Sequence, residues 1–276
     1  QNLIATGIEE AEICVLTKQQ SSQHTEKLRA ELTKKGIKNL DMTDLQDTLK
    51  EPLGVMFSLL FKLYVNNDPH SYTELCNYYL ALNKVKHGDE QEEELIKQLS
   101  LHIHKLRGKI TEHQNADNII NLIKTSLKYF GIKKIKGRWK QYKSSEFFKF
   151  VWRNLELHLR NTINETQSLK DASLMFRAEN SVQLMNVHKC KGLEYKTVIF
   201  MGLEDQAFWN YSDDDFESKC LIYVALSRAR EKILITLSGE REHRVNGRHN
   251  NRISTFAKLE NVIDLLITKC NFTKNW

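Results

Sequence analysis

Two stretches decide how this chain folds: SVQLMNVHKCKGLEYKTVIFMGLEDQAFW, Ser181 to Trp209, and CLIYVALSRAREKILIT, Cys220 to Thr236. Val182–Val187 and Thr197–Gly202 are short runs of β-branched, aliphatic and aromatic residues, and the polar stretch between them holds Gly192. Residues Phe216 to Arg230 read as a helix, and Ile233–Leu237 as one more strand. Strands that alternate with helical stretches point to a parallel or mixed sheet covered by helices.

The same pattern opens the chain. Ile13–Thr17, ICVLT, is a short apolar run; Leu28 and Leu32 follow at helical spacing, and Gly36-Ile37 ends that helix before a second strand. Leu53 to Val65, LGVMFSLLFKLYV, reads as a core helix with Pro52 in its first turn. From about Asn67 to Ala178 the character shifts to amphipathic helices rich in Lys, His and aromatics, with an acidic run at Asp89–Glu94. The expected fold class is therefore α/β, a parallel sheet with flanking helices interrupted by a helical insertion. The expected divisions are 1–66, 67–178 and 179–276.

Composition narrows the class. The chain has 276 residues, 41 Lys+Arg against 35 Asp+Glu, and a formal charge of +6. At roughly 150 residues per domain that length suggests about two domains. No apolar run approaches the roughly 18 residues of a membrane span, so a membrane protein is not expected. Only 2 prolines and 11 glycines disfavour a turn-dense β-sandwich and collagen-like sequence. Cys14, Cys76, Cys190, Cys220 and Cys270 are widely spaced without a CxxC pair, which suits a reducing cytoplasm better than a disulfide framework. The chain begins at Gln1 without a signal-peptide pattern, and a piece of something longer is expected. In a cytosolic protein the Asn271-Phe272-Thr273 sequon is a chance match.

His188, Lys191, Gly192, Leu193, Glu194 and Tyr195, followed by Tyr223, Val224, Ala225, Ser227, Arg228 and Ala229, resemble motifs V and VI of the UvrD/Rep/PcrA-like superfamily 1 DNA helicases. In those motifs a strand leads into T-x-H-x-x-K-G-L-E-F and a helix ends in Y-V-A-x-T-R-A. Glu12–Gly36 is similar to the opening of the family's second motor domain, and the insertion corresponds in position to its 2B subdomain. The chain departs from the pattern at Asn186, where the family has threonine, and at Lys189-Cys190, where it has two small residues.

The resemblance implies a RecA-like second motor domain of the P-loop-NTPase type. Phosphoryl transfer spreads negative charge over the γ-phosphate oxygens, and a planar guanidinium from a second domain can stabilise it. Arg228 is the implied arginine finger. Lys191 would reach the nucleotide phosphates, Gly192 would let the backbone come close, and Glu194 resembles the carboxylate that accepts from the ribose. His188 stands where the family contacts single-stranded DNA. Each has a plainer alternative: Arg228 can bridge a carboxylate such as Glu231, Lys191 and Glu194 can form a solvated pair, and His188 can be a satisfied loop histidine.

Other candidates read differently. Asp213, Asp214 and Asp215 precede a helical stretch, where acids suit the positive end of the helix dipole better than a metal. His102 and His104 lack a third ligand, so no metal site is expected. Between Lys124 and Arg153 ten Lys/Arg face one acid, Glu146, among eight aromatics. There Lys133, Lys134, Lys136, Arg138 and Trp139 are candidate DNA-binding residues, since cations neutralise phosphates while rings stack on bases. The other reading makes the rings a subdomain core and the lysines its solvated face; a protein partner is a further use of the same surface.

No P-loop G-x-x-x-x-G-K-[ST] is present. Gly108-Lys109 is followed by Ile110 and has Ile103 where the first glycine belongs, and no apolar strand ends in Asp-Glu. The chain alone is expected not to hydrolyse ATP. ATP and Mg²⁺ would be bound mainly by an N-terminal RecA-like domain. The complete motor would move on single-stranded DNA and separate duplex junctions, with 3′ to 5′ polarity implied by the resemblance alone. The second hypothesis is a non-hydrolysing scaffold that binds nucleic acid or a nuclease or repair partner, including in anti-phage defence.

Overall fold

The computed structural model describes residues 2–110, 115–166, 168–212, 215–238, 240–245, 248–253 and 255–269. Two compact units share the chain. One joins Gln1–Thr43 to Ser181–Trp276, and the other is Asp44–Asn180.

The first unit is α/β, as expected. Its five-stranded sheet comprises β1 (Ile13–Thr17), β2 (Asn39–Asp41), β3 (Val182–Asn186), β4 (Tyr195–Met201) and β5 (Ala229–Thr236) in the order β2-β3-β1-β4-β5. Every pairing is parallel: Val15 lies opposite Leu184 on one side and Ile199 on the other, and Phe200 opposite Ile235. β1 is central and all five of its residues are buried, which is why it reads as an unbroken apolar run rather than an alternating one. The Glu26–Lys34 helix lays Leu28 and Leu32 against Ile13, Val15, Val182 and Leu184. Gly36, at φ +71°, turns the chain from it toward β2. A separate antiparallel pair, β6 (Glu240–Val245) and β7 (Arg248–Ile253), follows β5, and then a helix, Glu260–Lys269.

Two details differ from the sequence expectation. The helix expected over Phe216–Arg230 ends at Leu226, and β5 begins at Ala229 rather than Ile233. Tyr195 N–H donates to the Arg228 carbonyl at 2.9 Å, so pairing with β4 draws this polar stretch into the sheet. Arg228 therefore stands in a turn between helix and strand.

The second unit is helical: Leu45–Lys50, Pro52–Asn66, Pro69–Asn83, Glu92–Arg107, Ala116–Phe130, Ile132–Arg138, Ser145–Glu165 and Leu169–Met175 are its helices among the described residues. Its core is built on Pro52–Asn66, apolar on nearly every side. Phe57 packs on Trp152 and Phe176, and Phe61 on Phe176. That helix thus groups with the helical unit, and the units divide after Thr43 rather than after 66, because its partners are the aromatics at 152 and 176. Gly54 lets it approach the preceding helix: a Cβ there would lie 2.1 Å from the Thr48 carbonyl oxygen. Side-chain acceptors cap the later helices, Asp68 from Ser71 N–H, Asn115 from Asn118 N–H, and Ser144 from Phe147 N–H.

Among the described residues no helix is long and apolar enough to cross a membrane. Cys14, Cys76, Cys190 and Cys220 are free thiols, while Cys270 and the Asn271 sequon lie outside the described residues.

Candidate nucleotide and nucleic-acid site

β3 and β4 both run parallel to β1, on opposite sides of it. Residues 187–194 must therefore carry the chain from the C-terminal end of β3 back to the N-terminal end of β4. The first part is a 3-10 turn, Val187–Lys189, capped by Asn186, whose side-chain oxygen accepts from Lys189 N–H at 3.1 Å. Asparagine thus supplies the cap acceptor where the helicase pattern has threonine. The buried Cys190 thiol donates to the Val187 carbonyl at 3.0 Å, and Leu193 N–H donates to the Cys190 carbonyl at 3.0 Å. Burial pushes the Cys190 thiol up to about 11, although the Arg228 charge opposes the shift. It is a packing and hydrogen-bonding group rather than a nucleophile.

His188, Lys191, Gly192 and Glu194 are all exposed on this one segment, and Leu193 among them is half-buried. Gly192 sits at φ +79° with no atom within 4 Å of where a Cβ would be, so the turn needs glycine for its backbone and is open on that side. Among the described residues no ion pair joins Lys191 to Glu194. His188 belongs to the end of the segment near β3, and Glu194 to the end near β4.

Arg228 meets this segment directly. It is half-buried, and its Nη1 donates to the Leu193 carbonyl at 3.2 Å, Nε to the Val224 carbonyl at 3.2 Å, and Nη2 to Ser227 Oγ at 3.0 Å. Its contacts are thus carbonyls and a hydroxyl, not the Glu231 carboxylate, which lies 3.7 Å from Lys196 Nζ. The Leu193 carbonyl joins Arg228 to the segment that carries Lys191, Gly192 and Glu194. From the sequence Ser227 is only one of the matched motif residues, without a role of its own, and the Leu193 carbonyl leaves no signal there.

At the opposite ends of the strands, Lys18 follows β1. Its ammonium lies 4.4 Å from the centre of the Phe208 ring and donates to Asn210 Oδ1 at 3.2 Å. Burial lowers its pKa, against the charges of Asp215 and Glu217. Asp215 caps the Phe216–Leu226 helix by accepting from Ser218 N–H at 3.1 Å, whereas Asp213 and Asp214 lie outside the described residues. The loop after β4 is fixed by Glu204, fully buried, which accepts from Ser238 N–H at 2.8 Å.

The other candidates lie in the helical unit, on and just after its Ile132–Arg138 helix. Lys133, Lys134 and Arg138 are exposed, Lys136 and Trp139 half-buried. Lys134 Nζ donates to Asn83 Oδ1 at 2.7 Å. Lys136 Nζ donates to Ser145 Oγ at 3.0 Å and stands 5.1 Å from the centre of the Phe148 ring. Trp139 packs against Tyr78 and Tyr142. Tyr142 is fully buried, but Phe150 keeps 57% of its surface exposed, so this tract supplies both a core and an uncovered cationic face. His102 is occupied otherwise: it bonds Ser126 Oγ at 3.0 Å and stacks on Tyr129 with 3.9 Å between ring centres. Among the described residues no three His, Cys, Asp or Glu side chains gather as a metal site.

The family of UvrD-like helicase C-terminal domains matches residues 16–240, most of the chain and all of the α/β site. The chain belongs to that helicase family. Curated relatives include the ATP-dependent DNA helicase PcrA of Staphylococcus aureus strain Mu50, 42% identical over 65 residues, and that of Staphylococcus epidermidis strain ATCC 12228, 40% identical over 65. Each match covers 21% of this chain and 9% of the relative, so the similar stretch spans under a tenth of those proteins.

Proposed function

We propose that this chain is the second motor domain of an ATP-dependent DNA helicase or translocase. The observation that carries the proposal is Arg228, tied through the Leu193 carbonyl to the segment that presents Lys191, Gly192 and Glu194. Three of its five N–H donors are used inside the protein, leaving two for an anion. In this reading those two stabilise charge on the transferring phosphoryl group. Lys191 neutralises phosphate, the open side of Gly192 admits it to the backbone, and Glu194 accepts from the ribose.

His188, at the far end of the same segment, contacts single-stranded DNA. Lys133, Lys134, Lys136, Arg138 and Trp139 make a nucleic-acid surface of the helical unit's own. ATP and Mg²⁺ are held mainly by an N-terminal RecA-like domain, without which this chain is inactive. Movement is 3′ to 5′ and the setting cytoplasmic, with a nuclease or repair partner compatible with the exposed helical surface.

The test is single-strand-stimulated ATP hydrolysis by the complete protein. Wild type should hydrolyse ATP, and Arg228→Ala should lose on the order of a hundredfold or more. An inactive wild type, or a mutant as fast as wild type, would leave a non-hydrolysing scaffold as the better account.

A further inference from the structure

The bonds around Arg228 form a closed arrangement. The Val224 carbonyl lies in the last turn of the Phe216–Leu226 helix, where carbonyls lack helical partners. It accepts from two donors, Arg228 Nε at 3.2 Å and Ser227 Oγ at 3.0 Å. The same Ser227 hydroxyl oxygen accepts from Arg228 Nη2 at 3.0 Å. Serine, arginine and one carbonyl thus hold one another, and the Leu193 carbonyl secures Nη1 from the neighbouring loop at 3.2 Å.

We infer that Ser227 is the positioning residue for Arg228: its hydroxyl, donating to one carbonyl while accepting from Nη2, fixes the plane of the guanidinium and so the direction of the two N–H groups left for phosphate. A hydroxyl can do this because it donates and accepts at once; alanine does neither. An arginine side chain has rotatable bonds up to its flat head, and two carbonyl contacts alone leave that head free to tilt. Misplacement by about 1 Å costs up to roughly a hundredfold in rate when charge must be met at one point in space. Ser227 itself touches no phosphate. The inference rests on the reading of Arg228 as the finger.

The complete protein provides the test, with single-strand-stimulated ATPase measured for wild type, Ser227→Ala, Ser227→Thr, Arg228→Ala and the Ser227→Ala/Arg228→Ala pair. Ser227→Ala should lower kcat about ten- to a hundredfold with KM for ATP within about twofold, since only the transition state uses the aligned guanidinium. Ser227→Thr should recover most of the loss, because the hydroxyl returns. In the Arg228→Ala background the serine change should have no further effect, as two residues acting as one unit do not add. If Arg228→Ala is crippled while Ser227→Ala runs at the wild-type rate, Ser227 does not position the finger, and the finger itself stands. The positioning role is equally overturned if alanine and threonine variants are equally slow, or if the double mutant is slower than Arg228→Ala. An inactive wild type, or an Arg228→Ala variant at full speed, overturns the finger reading and the role of Ser227 with it.

Discussion

The phenol of Tyr142 accepts a hydrogen bond from the Leu53 backbone N–H at 3.0 Å and donates to Glu51 Oε2 at 2.8 Å. Leu53 is in the first turn of the Pro52–Asn66 helix, where N–H groups have no carbonyl of their own helix to reach. A side chain 89 positions away acts as the cap. Tyr142→Phe keeps the ring and leaves that buried N–H alone. The expected cost is about 1–3 kcal/mol of unfolding free energy, the desolvation penalty of an unpaired buried donor. Urea unfolding of the variant reads it directly, and an unchanged midpoint would mean that the bond contributes nothing.

Gly54→Ala tests how closely the two helices before and at the core pass. The added Cβ would sit 2.1 Å from the Thr48 carbonyl oxygen, backbone that cannot swing aside. A loss of about 3 kcal/mol or more is expected, at the upper end for overpacking. A melting temperature equal to wild type would show that the helices part without strain.

His158 sets an acid limit on stability. Burial lowers its pKa to about 4, and its Nε2 stands 2.9 Å from the Phe176 carbonyl, which needs the proton on that nitrogen. The native protein keeps the ring neutral while the unfolded chain takes up a proton below about 6.5. Stability is therefore complete above that pH and falls as pH drops toward 4, by about 3 kcal/mol from this group. Unfolding free energies measured from pH 7 to 4 should show the slope, and His158→Gln should flatten it even if it lowers stability throughout. A slope undiminished in the variant assigns the effect elsewhere.

Lys133→Ala with Arg138→Ala removes two exposed cations from the helical unit. If each neutralises one phosphate of single-stranded DNA, the slope of log affinity against log salt should fall by about 1.4, with little change in base preference. Fluorescence anisotropy over a salt series measures this, and an unaltered slope would place the DNA elsewhere.

Much of the fold is legible in the residues, for identifiable reasons. β1 is buried along its whole length, and β3 and β4 are buried at most positions, so their sequences are largely apolar and hard to mistake. β5 starts Ala-Arg-Glu-Lys on an edge that burial does not mark, and only pairing with β4 shows it as strand. Leu53–Val65 announces a core helix but not which core, because apolarity records burial and not the identity of the neighbour. The motif residues from His188 to Glu194 can be named from their resemblance to the helicase motif. The link from Leu193 to Arg228 cannot, since a backbone carbonyl leaves no trace in residue type.

The crossing of residues 187–194 from one end of the sheet to the other has a further consequence. Most surface loops can grow, since a longer chain closes at little extra entropic cost. This one is a strut of fixed length, anchored by Asn186 at its start and by Tyr195 pairing at its finish. An added or deleted residue would alter the separation of His188 from Glu194 or shift the register of β4. Length here behaves like a gauge, and a single-residue insertion should do more damage than most substitutions along it.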